Sequence, residues 1–223
     1  MFNEERTVVF LLNKLKIALT NVNYEVVIVD DGSTDQSAQL VKNFASANPK
    51  LPVHYIYQEN QGKGAAIRTA MDKACGEIYV VQDADLEYDP SDLIPLLDLF
   101  SKGEKVVYGS RNLVHKNRDH STLLFYFGGL LVTWTTNLLF RSNLTDEATC
   151  YKLFHADVLK EISFKNNDFA WEPEITAKIL KRKINIAEHP ISYHPRSLEE
   201  GKKISWKDGV KAIYVLICEF VKR

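Results

Sequence analysis

The chain has almost no net charge. Its 28 lysines and arginines stand against 29 aspartates and glutamates, for a formal net charge of −1. A dedicated nucleic-acid binder carries a basic excess, so no nucleic-acid partner is expected. Cysteine is equally scarce: Cys75, Cys150 and Cys218 are odd in number, widely spaced and free of any CxxC pair. That pattern predicts buried thiols in a reducing compartment rather than a disulfide framework. The opening Met1 to Arg6 lacks the apolar core of a signal peptide, and a cytoplasmic location follows as the expectation. No linker rich in Pro, Gly or Ser, and no internal repeat, divides the 223 residues, 45% of them hydrophobic. One domain is therefore expected, large enough to bury roughly 70–75% of its unfolded surface. The uncharged run from His120 to Phe140 reaches the length of a membrane span, but Gly128, Gly129, Thr133, Thr135, Thr136 and Asn137 interrupt it. It predicts a half-buried or interfacial helix.

What is present is an alternation of helix and strand. Val8, Leu11, Leu12, Leu15 and Leu19 recur at helical spacing, and the β-branched run Tyr24 to Asp30 reads as a buried strand. Helix Ser37 to Ala47, strand Val53 to Gln58, helix Gly64 to Ala74, strand Glu77 to Gln82, helix Pro90 to Ser101 and strand Lys105 to Gly109 follow. Crossover helices between parallel strands are implied, and ligands of such sheets gather at the carboxyl ends of the strands. The second half is less regular: a helix at Thr122 to Phe140, an extended segment Ala148 to Phe154, a helix Pro173 to Lys181 and a strand Ile184 to Ile191. Trp206, Val210, Ile213, Ile217 and Phe220 then describe an amphipathic helix, docked on the sheet or lying on a membrane surface.

The most telling stretch is Glu77 to Asp89, where a β-rich run ends in carboxylates. Asp83 and Asp85 project to one side of an extended backbone, and Glu87 and Asp89 continue the series into a loop. Oxygen ligands without His or Cys suit Mg²⁺ or Mn²⁺, which characteristically bridges one or two carboxylates and substrate phosphates. An EF-hand would need Gly at Tyr88 and Glu at Ile94, so that alternative fails; a solvated turn capping the helix from Asp89-Pro90 remains open. Asp30 and Asp31 end the buried strand beside Gly32-Ser33, suited to nucleobase and ribose hydrogen bonds or to turn capping. Gly62-Lys63-Gly64 precedes a helix and offers an anion site with Lys63 as a point charge, though it is no Walker A loop.

Together, Asn3-Glu4-Glu5, Asp30 to Asp35, Gly62-Lys63-Gly64, Asp83 to Pro90, Gly109-Ser110-Arg111, Thr145 to Lys152, Phe169 to Glu174, Tyr193-His194-Pro195-Arg196 and Glu200 to Lys203 resemble, in order and spacing, the family 2 inverting glycosyltransferases. The branch most resembled is that of the dolichyl- or polyprenyl-phosphate sugar synthases. The resemblance implies an α/β, GT-A type, Rossmann-like mixed and mainly parallel sheet flanked by helices. Residues 1–112 would form a nucleotide-sugar-binding half and 113–223 an acceptor-binding half. Glu4, Asp30, Asp31, Lys63, Asp83 and Lys202 would bind the nucleotide sugar, UDP- or GDP-linked, and Asp85 with Glu87 would hold Mn²⁺ or Mg²⁺. Arg111, Arg118, Arg196, Lys202 and Lys203 would match or lie near the cationic positions that embrace donor and acceptor phosphates, with Arg111 and Arg196 assigned to catalysis. The acceptor is a polyprenyl phosphate or a saccharide hydroxyl; for a hydroxyl, Asp146 is the candidate base, with Glu172 and Glu174 behind it. The resemblance also implies peripheral contact with the cytoplasmic membrane face. Two departures stand out: the family's usual apolar first strand, leading into Pro-x-Tyr-Asn-Glu, is not seen before Asn3, and Cys150 occupies a position where Gly is common. An inactive sugar-binding protein lacking that strand is the alternative.

Overall fold

The computed structural model describes residues 1–113, 123–196 and 205–222. Arg118, Lys202 and Lys203 fall outside them. Helix α1 (Val8–Ala18) turns Val8, Leu11, Leu12 and Leu15 into the core, as their helical spacing requires. Strand β1 (Val26–Asp31), helix α2 (Ser37–Ala47), strand β2 (Val53–Gln58), helix α3 (Lys63–Met71) and strand β3 (Ile78–Val80) follow. A 3₁₀ turn at Pro90–Asp92, N-capped by Asp89 accepting from the Ser91 amide, opens helix α4 (Leu93–Ser101) and leads to strand β4 (Val106–Ser110). The capping role foreseen for Asp89 is therefore real, yet it leaves Asp83, Asp85 and Glu87 upstream of the cap. The rest comprises α5 (Leu123–Phe140), β5 (Lys152–His155), α6 (Ala156–Glu161), α7 (Trp171–Lys181), β6 (Ala187–Pro190) and α8 (Trp206–Val221).

The described strands form two sheets: β1 and β2 pair in parallel, and β3-β5-β4-β6 form a second unit. Strand β5 runs antiparallel to both β3 and β4, while β4 and β6 are parallel. The sheet is mixed, as expected, but parallel pairs do not predominate, because the segment read only as extended inserts as an antiparallel strand. The α/β class holds. Val106, Val107, Tyr108, Leu153, Phe154, Ile175 and Ile179 are fully buried and make the centre of the core.

Two expectations are corrected. Of the cysteines, Cys150 is buried, Cys75 is exposed and Cys218 is intermediate. In α8 the buried positions are Ala212, Val215, Leu216 and Glu219, whereas Trp206, Val210, Ile217 and Phe220 of the foreseen apolar face are exposed. The small and aliphatic stripe docks against α5 and α7, and the large aromatic stripe is left outside.

Candidate active site

Strand ends deliver the acids. At the end of β1, Asp30 is fully buried, its carboxylate accepting from the Ser33 amide at 2.9 Å and the Tyr55 hydroxyl at 2.8 Å. Asp31 accepts from the Gln58 side chain at 2.7 Å and from the Gln61 and Gly62 amides at 2.9 and 2.8 Å. Turn chemistry thus occupies both carboxylates, and of the pair only Asp31 lines the large cavity of about 1620 Å³ that opens beside these strand ends. The Gly62–Gly64 loop is a packing junction. Gly62 takes φ +101°, and a Cβ on Gly64 would lie 2.2 Å from the Asn166 carbonyl oxygen. The Ala65 amide donates to the Asn167 carbonyl at 3.1 Å, so protein fills part of the foreseen anion site.

Lys63 lies at the centre of a buried polar cluster instead of facing solvent. Its Nζ donates to Asp83 at 2.9 Å and Glu172 at 3.0 Å, 3.8 Å from the Cys150 sulfur. Burial alone would lower the Lys63 pKa, but the Asp83 and Glu172 charges outweigh it and hold the ammonium well above the ordinary lysine range. Burial likewise opposes ionisation of Asp83, and the Lys63 charge reverses the effect. Asp83 is therefore held as one half of an ion pair with Lys63. Burial raises the Cys150 thiol well above its usual range, which keeps it neutral.

Asp85 has no such lysine. Burial, then the charges of Asp83 and Glu87, push its carboxyl up to about 7, with Arg196 offsetting part of the effect. Glu87 reaches toward the segment after β6, accepting from the Arg196 amide at 2.8 Å and the Tyr193 hydroxyl at 3.2 Å. The Arg196 guanidinium spans Asp85 at 3.1 Å and Glu4 at 3.2 Å, and its buried Nε has no partner among the described residues. Residues as distant in sequence as Glu4, Asp85, Glu87 and Arg196 thus meet in one place. No group of three or more metal-ligating side chains is preassembled among the described residues. The hard oxygens of Asp85 and Glu87 nevertheless suit a divalent ion, and the raised proton affinity of Asp85 marks a local deficit of positive charge.

On the other wall, Arg111 and Asp146 form a bidentate pair: Nε to Oδ2 at 2.7 Å and Nη2 to Oδ1 at 2.8 Å, with the Arg111 amide also on Oδ2 at 2.9 Å. The Asp146 side chain is 3% exposed and that of Arg111 20%. Glu188 fixes the loop from below by accepting the Thr145 and Asp146 amides at 2.8 and 3.0 Å. Both oxygens of Asp146 are thereby engaged by Arg111. Glu174 accepts the Lys165 and Asn166 amides and is a loop anchor, whereas Glu172 lines the cavity beside Lys63. Tyr193, whose ring lies 5.0 Å from the Arg111 guanidinium, and Glu188 were not singled out from sequence. Tyr193 belonged to a motif block already noted, but Glu188 carried no signal beyond its place in a strand.

This arrangement has relatives. A sequence model of the family described as "Glycosyl transferase family 2" matches residues 1–163. An undecaprenyl-phosphate 4-deoxy-4-formamido-L-arabinose transferase of Pseudomonas fluorescens is 35% identical over 128 residues, covering 56% of this chain and 36% of that protein. A dolichol-phosphate mannosyltransferase of Pyrococcus furiosus is 32% identical over 111 residues, 49% of this chain and 31% of that protein. The matched segments thus span about a third of these curated relatives. Among solved structures, glucosyl-3-phosphoglycerate synthase from Mycobacterium tuberculosis, in complex with Mn²⁺, uridine diphosphate and phosphoglyceric acid, superposes with a TM-score of 0.74 at 17% identity, covering 99% of this chain and 76% of that one. At that identity the likeness establishes the GT-A fold. With the family model covering most of its length, the chain belongs to glycosyl transferase family 2.

Proposed function

We propose that this chain carries the catalytic site of an inverting glycosyltransferase that moves a sugar from a UDP- or GDP-linked donor to a polyprenyl phosphate, assisted by Mn²⁺ or Mg²⁺. The observation that carries the reading is Asp85: a largely buried carboxyl raised to about 7, beside Glu87 and paired with Arg196, whose buried Nε has no partner among the described residues. Asp85 and Glu87 would hold the divalent ion, which when bound supplies Lewis-acid stabilisation to the departing diphosphate. Arg196 donates to the same diphosphate through its Nε. Arg111, held rigid by Asp146, presents charge to the acceptor phosphate. A lipid phosphate oxygen is already anionic and needs no strong base, which accords with an Asp146 whose oxygens are both taken. A saccharide hydroxyl would need that base free.

The acceptor half, residues 113–223, supports a lipid. The cavity extends from the acids to Tyr126 and Leu130 of α5 and to Trp206 and Ile213 of α8. α5 also exposes Phe127, Leu131, Trp134 and Leu138, and α8 exposes Trp206, Val210, Tyr214 and Ile217. No described helix is long and apolar enough to cross a membrane. The two exposed stripes instead suit peripheral contact with the cytoplasmic membrane face, as amphipathic interfacial helices make. The test is calorimetric titration of UDP and GDP with and without Mn²⁺, followed by transfer of labelled sugar to undecaprenyl phosphate or to a free saccharide. Metal-dependent nucleotide binding and transfer to the lipid are expected. Metal-independent binding, or equal transfer to the saccharide, would refute the reading.

A further inference from the structure

We infer that Tyr193 is a positioning residue for both halves of the site at once, its hydroxyl aiming the Glu87 carboxylate at a divalent ion and its ring bracing the Arg111 guanidinium that meets the acceptor phosphate. The inference rests on the roles proposed above for Glu87 and Arg111 and adds the side chain that ties them together. Three observations carry it. The first is contact: the Tyr193 hydroxyl donates to Glu87 Oε2 at 3.2 Å, and the Arg111 guanidinium lies 5.0 Å from the centre of the same ring. Tyr193, Glu87 and Arg111 line one cavity. The second is a pinned backbone. Ser192 gives its amide and hydroxyl to Asp92 at 2.8 and 2.6 Å, and the Ile191 amide donates to the Ser110 carbonyl at 3.1 Å. On the other side of Tyr193, the His194 amide donates to the Glu87 carbonyl at 2.9 Å and the Arg196 amide to Glu87 Oε1 at 2.8 Å. The third is a stack of rings: the centre of Tyr193 lies 5.5 Å from that of Tyr88, which lies 5.0 Å from that of Tyr151, and Tyr88 and Tyr151 are both buried.

A side chain mounted on so fixed a segment sets the position of what it touches. Burial first, and then the Glu87 charge against the opposing pull of Arg111, hold the Tyr193 hydroxyl above the ordinary tyrosine range, so it stays protonated and donates. An ionised carboxylate offers about four lone-pair sites, and one donor on each Glu87 oxygen leaves lone pairs for a cation. Such a donor fixes the orientation of a ligating carboxylate, and its removal typically costs about 10–100-fold in metal affinity. On the arginine, Asp146 holds the edge of the guanidinium through Nε and Nη2, while the tyrosine ring attracts the cation through its quadrupole. A guanidinium restrained in two ways loses less freedom when a phosphate binds. Because one ring makes both contacts, one residue sets how far the ion stands from the arginine.

The test reads two ligands separately and needs no sugar transfer: Mn²⁺ alone, by electron paramagnetic resonance of the free ion, and a short-chain isoprenyl phosphate in EDTA, by calorimetry. Tyr193→Phe keeps the ring and loses the hydroxyl. It should raise the Kd for Mn²⁺ about tenfold or more and leave that for isoprenyl phosphate within about twofold. Tyr193→Leu loses both contacts, so it should show the same loss for Mn²⁺ and also bind isoprenyl phosphate at least about threefold more weakly. If the Leu variant does not fold, the split in the Phe variant decides alone. A Phe variant that binds Mn²⁺ as the parent does, or that loses both ligands in the same proportion as a purely structural role would require, overturns the inference while leaving the proposed function standing. A Leu variant with parental affinity for isoprenyl phosphate does the same. A parent chain that binds Mn²⁺ no more tightly than its Asp85→Asn variant, or that does not bind isoprenyl phosphate, overturns the proposed function and this inference with it.

Discussion

Replacing Asp85 by Asn should make the protein more stable above neutral pH and at the same time unable to use a divalent ion. The native carboxyl is raised from 3.8 to about 7, so it binds its proton more tightly when folded than when unfolded. Its contribution to stability is therefore fully present below pH 3.8 and is lost as pH climbs toward 7. At about 1.36 kcal/mol per unit, the full penalty is roughly 4 kcal/mol at pH 8. The side chain is 15% exposed, so little of this is screened. Asn keeps an acceptor for the Arg196 Nη2 now at 3.1 Å and carries no charge. Allowing for a weaker bond to Arg196, a net gain of about 2–3 kcal/mol is expected at pH 8 and none at pH 4. Urea denaturation of both proteins in EDTA at pH 4, 6 and 8 measures it. Mn²⁺ at a hundred times its Kd should then add about 2.7 kcal/mol to the parent protein and nothing to the variant. A variant less stable than the parent at pH 8, or two proteins with the same pH slope between 4 and 8, would show that Asp85 is not crowded by its neighbours and would remove the main support for the metal site.

Further outcomes follow from other contacts. Arg196→Gln takes a cation away from Asp85 and Glu4, so Mn²⁺ alone should bind several-fold more tightly while UDP or GDP binds at least about tenfold more weakly; titrating each ligand separately checks the opposed signs. Lys63→Met leaves Asp83 and Glu172 buried without their shared cation and should cost about 3–5 kcal/mol in chemical denaturation, with part of the loss recovered on adding Glu172→Gln. Because Trp134 and Tyr214 are 61% and 66% exposed, Trp134→Glu with Tyr214→Glu should leave Tm within about 2 °C of the parent. The same double variant should bind vesicles of anionic lipid at least about tenfold more weakly in a sedimentation assay, and unchanged binding would argue against the interfacial face.

Local patterning was enough to place most elements. Ser37–Ala47 and Val53–Gln58 match their expected limits, since an amphipathic helix and a β-branched run each declare their period within a few residues. The acids at the ends of β1 and β3 were legible for the same reason: a strand that stops in carboxylates is a local event, and the order of such blocks along the chain carried the family. Tertiary structure decided what those side chains face. Lys63, read as a point charge for an anion, donates to Asp83 and Glu172; Asp146, read as the base for a hydroxyl acceptor, accepts from Arg111; and the apolar stripe of α8, read as docking on the sheet or lying on a membrane surface, faces outward while Ala212, Val215 and Leu216 pack within. The reason is common to all three. Periodicity and spacing fix which side of an element a residue occupies, but a charge or an apolar stripe finds its partner through contacts dozens of residues away, and those exist only once the chain has folded.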